Sequence, residues 1–285
     1  MSALFGPAGN EKAFADVKSR DTLDAPEYVA SLGLTAYEYQ CGRGVNIGKE
    51  KAELFGKKAR EAGVRVSLHA PYYISMSGVD REKRMNSIGY IVSSAEAVKA
   101  MGGDRIVVHT GSCSKISREE ALSLASDTMK AALAELDNLG LGNVHICPET
   151  MGKLNQLGTL DEVVSLCLLD ERLIPCIDFG HINARTHGEL TADSDGYRRI
   201  IDTISDKLGE YRAKHFHSHF SKIEYTEGGE KCHLTFEDMT YGPFFEPLME
   251  LVAKRGLEPT FICESAGTQA ADAASMKRYY ESLMR

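Results

Sequence analysis

The sequence predicts a (β/α)8 barrel, a single domain spanning residues 1–285. Eight short apolar runs alternate with eight helix-like stretches, a pattern that fits a closed parallel barrel better than an open doubly wound sheet. The chain length is one that α/β barrels commonly use for one domain, and no linker, low-complexity tract or charge block marks a second. Six consecutive runs end in a metal-ligand residue type: VRVSLH at His69, RIVVH at His109, NVHICPE at Glu149, LIPCID at Asp178, AKHFH at His217 and TFICE at Glu264. In a barrel of parallel strands, residues at strand ends converge on one rim, where (β/α)8 proteins place their chemistry.

In order along the chain, strands are expected at 2–5, 35–40, 64–69, 105–109, 144–148, 173–178, 213–219 and 259–263. Helices are expected at 26–32, 47–62, 82–101, 117–138, 159–168, 194–208, 243–255 and 269–283. Helix starts are signalled by Asp24 before Pro26, by Ser117 before Glu119 and Glu120, and by Thr159 before Asp161 and Glu162. Glycines mark helix ends at Gly63, Gly102–Gly103, Gly140 and Gly256. The longer stretches 179–193 and 220–242 follow strands, where barrel proteins keep substrate-handling loops.

Composition narrows the class. Hydrophobic residues make up 43% of the chain, enough for a large core, and no apolar stretch reaches the length of a membrane span. The N-terminus MSALFGPAGNEK lacks the basic start and apolar core of a signal peptide, so a cytoplasmic location is expected. The seven cysteines are dispersed without CxxC pairing and read as reduced thiols. A net charge of −8 argues against a generic nucleic-acid coat protein, but not against a nucleic-acid enzyme whose active face is made positive by bound metal ions.

The ligand spacing adds to the case. His69, His109 and Glu149 follow one another at intervals of 40 residues, about one strand–loop–helix unit each, which places them on neighbouring strands. A lone strand-end histidine is usually a hydrogen-bonded core or surface residue; six consecutive strands ending in ligand types are not explained that way. His215, His217 and His219 alternate along one expected strand and face one side, about 6.6 Å apart, so they cannot all serve one metal equally. One or two of them are expected to pack in the interior. His145 reads as structural and His187 as a solvated loop residue.

The ordered series His69, His109, Glu149, Asp178-x-x-His181, His217 and Glu264 resembles the endonuclease IV family of apurinic/apyrimidinic endonucleases, zinc-dependent DNA-repair enzymes on a (β/α)8 barrel related to xylose isomerase-like sugar enzymes. Supporting pieces are LHAPYY (68–73), ETMGKLNQLG (149–158) and CIDFGH (176–181); the last has Phe179-Gly180 where the family usually has Thr-Cys. The family pattern H-x-N-D-[SA]-K meets His217-Ser-His-Phe-Ser-Lys222, which matches at its flanks but not at Asn-Asp, and this register favours His217 over His219 as a ligand. The family's Asp-x-His pair for a third zinc falls on Glu230 and Cys232, with His233 adjacent.

The resemblance implies three zinc ions per chain, with manganese as an alternative ion. His69, His109 and Glu149 would hold one; Asp178, His217 and Glu264 a second, with Glu149 bridging; His181, Glu230 and either Cys232 or His233 the third. A metal-activated hydroxide would attack the phosphorus 5′ to an abasic sugar in double-stranded DNA, oriented by Glu149 and Glu264 as the catalytic carboxylates. Arg43 and Tyr72, in the loops after the second and third strands, would enter the duplex as wedge or filler. A monomer is expected. Two other readings use the same residues: a one-metal sugar isomerase or epimerase, and a zinc-stabilised binding module without turnover.

Overall fold

The structure is a computed structural model that describes residues 2–17, 21–190 and 194–284. Its strands are β1 (Leu4–Pro7), β2 (Ala36–Gln40), β3 (Arg65–His69), β4 (Arg105–Val108), β5 (His145–Pro148), β6 (Cys176–Asp178), β7 (His217–Phe220), a hairpin of β8 (Lys222–Thr226) and β9 (Gly229–Leu234), and β10 (Thr260–Cys263). The helices are α1 (Lys12–Ala15), α2 (Ala25–Ser31), α3 (Lys49–Glu61), α4 (Arg81–Ala100), α5 (Arg118–Asn138), α6 (Leu160–Cys167), α7 (Phe179–Arg185), α8 (Asp195–Leu208), α9 (Glu210–Lys214), α10 (Glu246–Arg255) and α11 (Gln269–Leu283).

Eight parallel strands close a barrel. β1, β10, β7 and β6 pair in that order, as do β2 through β5. Parallel bridges Ala8↔Glu38 and Glu149↔Cys176 join the two halves. Each strand has two buried faces: the outer packs on the helix ring, and the inner fills the barrel. Small clusters such as Val107–Cys147–Ile174–Cys176 and Ala8–Ala36–Ile262 fill the lumen, while the larger apolar core lies between strands and helices. Strand period two then carries the inward face from these apolar residues up to the ligand-type residues at the rim.

Local chemistry sets the helix starts. Asp80 accepts from the Glu82 amide at the head of α4, and Ser117 accepts from Glu120 at the head of α5. Thr159 and Glu162 form a reciprocal capping box on α6. The expected helix ends at Gly63, Gly102, Gly140 and Gly256 all fall at glycines with positive φ.

Beyond the unexpected α1 and shifts of up to three residues at element ends, as at β1, β6 and α10, three segments differ from expectation. The seventh barrel strand begins at His217 rather than 213, because residues 210–214 form α9; His215 therefore leaves the strand, its ring 3.4 Å from Glu258 at the helix end. The stretch 179–193 holds α7, begun by the Asp178 side chain, and its last three residues (191–193) lie outside the described residues. The stretch 220–242 holds the β8–β9 hairpin. Among the described residues, no helix is long and apolar enough to cross a membrane. All seven cysteines are unpaired with one another, five of them buried.

β1 and β2 approach closely at Gly6, where an added Cβ would stand 1.8 Å from the Ala36 carbonyl oxygen. Two backbones meet there, so no side chain can yield. Gly6→Ala should lower unfolding free energy by about 3 kcal/mol, the upper end of overpacking costs, read from the urea midpoint at constant m-value. An unchanged midpoint would contradict this close approach.

Candidate metal centre

Each side chain at the rim is placed by its strand end and by a hydrogen bond behind it. His69 ends β3, and its Nδ1 lies 2.8 Å from the Ala70 carbonyl, leaving Nε2 toward the barrel axis. His109 and Glu149 follow directly after β4 and β5. Asp178 ends β6 and caps α7, accepting from the His181 amide at 2.7 Å; this explains why an Asp-x-x-His spacing brings both side chains to one place. His181 Nδ1 lies 2.9 Å from the Thr150 carbonyl. Glu264 follows β10 and opens to the cavity with 14% of its side chain exposed.

Among the described residues, five overlapping groups have ligand atoms within 4.8 Å of one another: His69–His109–Glu149, Glu149–Asp178–His219–Glu264, His181–Glu230–His233, His69–His219–Glu264 and Cys176–His217–His219; the first three adjoin along the rim. Glu149 belongs to the first two. Its Oε2 lies 3.2 Å from His109 Nε2 and 3.5 Å from His69 Nε2, and its Oε1 lies 2.8 Å from His219 Nδ1.

One expectation is corrected and one open choice is narrowed. The place expected for His217 is taken by His219. With the strand starting at 217, His219 is the inward residue nearest the rim, whereas His217 lies deeper, 2.9 Å from Glu38 and outside the group containing Glu149, Asp178 and Glu264. At the third group, where Cys232 and His233 are the alternatives beside Glu230, a β-bulge lies between Glu230 and Cys232. Tyr225 pairs with Glu230 and Glu224 with Cys232, so Lys231 is an extra residue. Glu230 and His233 consequently share the inner face, His233 Nδ1 lying 2.8 Å from Ser221 Oγ, while exposed Cys232 turns to Glu224.

Glu38 carries no ligand-type signal by its position in mid-strand, and sequence reading missed it. It is fully buried in β2 and contacts both His217 and His219. An acidic residue inside the apolar-aromatic run AYEYQ was the available clue. Gln40, Lys153, Gln156 and Gln269 also line the cavity of about 570 Å³ above the groups.

Tyr72 stands at the mouth, the residue 54% exposed and its ring stacked on His109 at 5.4 Å. It fits because Gly42 has no Cβ: one would meet the Tyr72 ring at 2.3 Å. Arg43 follows Gly42 and is exposed; Tyr72 lines the cavity and Arg43 does not. Burial and the carboxylates Glu264 and Glu149 push the Tyr72 phenol up to about 12, so it stays protonated.

The electrostatics are those of a site built for cations. Burial pushes Asp178 up to about 6 despite its proximity to His181. Burial opposes charge on His181, yet Asp178, Glu149 and Glu230 prevail and raise it to about 9. Burial likewise opposes ionisation of Glu149, but His219, His109 and His69 hold it well below the usual range. Glu149 Oε2 and Asp178 Oδ2 are buried without a hydrogen bond. Orphaned carboxylate oxygens beside imidazole nitrogens, in a mixed N/O donor set, fit divalent zinc.

A model of the xylose isomerase-like TIM barrel family matches residues 26–283. The chain belongs to that family. An uncharacterized protein from Methanocaldococcus jannaschii is 31% identical over 280 residues, covering 98% of this chain and 97% of that protein. A probable endonuclease 4 from Acholeplasma laidlawii is 29% identical over 153 residues, so this match spans 51% of each chain. Among solved structures, 3-keto-D-glucoside 4-epimerase from E. coli superposes with a TM-score of 0.69 at 16% identity, covering 98% of this chain and 99% of that one. Endonuclease IV from Thermus thermophilus gives 0.63 at 17%, covering 92% and 93%. The barrel and the kinship with endonuclease IV read from the strand-end residues are thus borne out; the two solved structures speak to fold alone.

A pH dependence follows from the charges. In the metal-free protein His181 keeps its proton up to about 9, above the ordinary histidine value, and a metal ion must displace that proton. Zinc affinity of the His181 group should therefore rise with pH between 7 and 9, by about tenfold per unit for one displaced proton, then level off. Titration calorimetry in buffers of different ionisation enthalpy measures the proton release; affinity independent of pH over this range would contradict it.

Proposed function

We propose that the protein is a zinc-dependent endonuclease that hydrolyses the phosphodiester 5′ to abasic sites in double-stranded DNA. The observation carrying this reading is that three ligand groups adjoin at one rim, with Glu149 shared by two of them. That number of groups is surplus to a one-metal isomerase and suits a phosphodiester, whose attacking and leaving oxygens both need charge stabilisation. Kinship with proteins named probable endonuclease 4 points the same way.

Zinc bound there would supply Lewis acidity toward phosphate oxygens and lower the pKa of water toward about 7. His69, His109 and Glu149 would hold one ion, Asp178, His219 and Glu264 with Glu149 a second, and His181, Glu230 and His233 a third. Glu149 is common to the first two groups, and Glu264, the carboxylate open to the cavity, would orient water and accept its proton. Tyr72 at the mouth and exposed Arg43 would hold the duplex open around the missing base, with the Tyr72 hydroxyl as a neutral donor. Lys153, which lines the cavity beside Gln156, would meet a phosphate. The chain is acidic overall, so the metal ions supply the positive field for DNA.

A second reading, a sugar isomerase or epimerase, draws on a specific feature. Glu149, Asp178, His219 and Glu264 suffice for one divalent ion, and the amides Gln40, Gln156 and Gln269 around the cavity suit sugar hydroxyls. A duplex with one abasic site separates the two: incision on its 5′ side is expected, whereas an intact duplex with turnover of a ketose would favour the sugar enzyme. Glu149→Gln should lower incision on the order of a hundredfold or more while leaving the barrel folded; unchanged turnover would refute the shared-ligand role. Tyr72→Ala should weaken binding to the abasic duplex with metal content unchanged, and equal affinity would remove Tyr72 from DNA contact.

A further inference from the structure

Four of the five histidines at the rim have a visible hydrogen-bond partner behind the ring, and one of these is oriented differently from the rest. His69, His181 and His233 each direct Nδ1 to a neutral oxygen: the Ala70 carbonyl at 2.8 Å, the Thr150 carbonyl at 2.9 Å and Ser221 Oγ at 2.8 Å. That turns Nε2 toward the cavity. His219 is reversed. Its Nε2 lies 2.9 Å from Glu38 Oε1, and its Nδ1 faces the site, 2.8 Å from Glu149 and 3.6 Å from Glu264. Its partner is also a carboxylate.

Glu38 is held from every side. Oε2 accepts from Ser67 Oγ at 3.1 Å and lies 2.9 Å from His217 Nε2; Oε1 also accepts from Gln40 Nε2 at 3.2 Å. The carboxylate is fully buried, so its direction is fixed by these groups and not by solvent. His217, which fails to reach the rim, has a place here: it is one of the donors that lock Glu38. A carboxylate behind a ligating imidazole fixes which nitrogen carries the proton and makes the other a stronger donor to a metal.

We propose that Glu38 is a positioning residue that sets His219 with its Nε2 proton inward and Nδ1 free to bind the metal shared by Glu149, Asp178 and Glu264. It touches neither substrate nor metal and acts only through His219. The inference rests on the reading of the rim as a metal centre, and it is indifferent to whether DNA or a sugar is turned over.

The first test is long-range 1H–15N correlation NMR of the zinc-loaded wild-type protein, with His219→Gln used to assign the ring. His219 should carry its proton on Nε2 and show the metal-bound shift on Nδ1, while His69 and His181 show the opposite arrangement. A proton on His219 Nδ1 overturns the proposal, even with zinc bound. The second test is Glu38→Gln titrated with zinc against a competing chelator. One equivalent should bind about 10–100-fold more weakly, with the His69 and His109 resonances unmoved; wild-type affinity for every equivalent overturns it. If Glu38→Gln does not fold, the wild-type spectrum still decides. A wild-type protein that takes up no zinc overturns this inference together with the metal-centre reading, a result distinct from zinc bound through His219 Nε2.

Discussion

Three carboxylates, Glu38, Glu149 and Asp178, are buried around the histidines of the barrel rim, with His219 between Glu38 and Glu149, and the organisation of this rim depends on compensating them. An uncompensated buried carboxylate costs about several kcal/mol, so this arrangement persists only with cations or hydrogen-bond donors around it. In the metal-free chain, histidines supply that compensation: His69, His181 and His219 are held above the ordinary histidine range by their acidic neighbours, against the opposing effect of burial. A divalent ion held by these ligand-type residues would replace those protons with a fixed charge. The buried carboxylates thus favour cations before any substrate is considered, and the barrel supplies the rigid strand ends on which this depends.

The same principle accounts for the division of labour among the histidines. Four of the five that reach the rim, His69, His181, His219 and His233, are backed by a carbonyl, a hydroxyl or a carboxylate and point the other nitrogen into the cavity. Those that do not reach it satisfy other groups: His145 meets the Arg172 carbonyl, His187 the Thr226 carbonyl, and His217 supports Glu38. Counting histidines on a strand therefore says little until the partner behind each ring is known.

Much of the barrel was legible because strand and helix periods leave a strong imprint and the caps are chemically explicit, as at Ser117 and Thr159. Ligand types at strand ends were legible for the same reason: a strand end is easy to see, and a barrel brings strand ends together. What escaped depended on depth and on register. His217 and His219 share the inward face, so the choice between them turned on which lies nearer the rim, and apolar pattern does not fix depth in a short strand that a helix such as α9 runs into. The choice between Cys232 and His233 turned on one bulge residue, Lys231, which moves alternate side chains to the other face. Glu38 escaped because its role lies in contacts with residues about 180 positions away in sequence, His217 and His219.

The central claim is that the rim is a three-metal centre, and zinc content per chain tests it most directly. Elemental analysis of protein purified without chelator and exchanged into metal-free buffer should give about three zinc ions per chain. One ion per chain would contradict the account, leaving Glu149, Asp178, His219 and Glu264 as a single-metal site and the His181–Glu230–His233 group without its assigned ion.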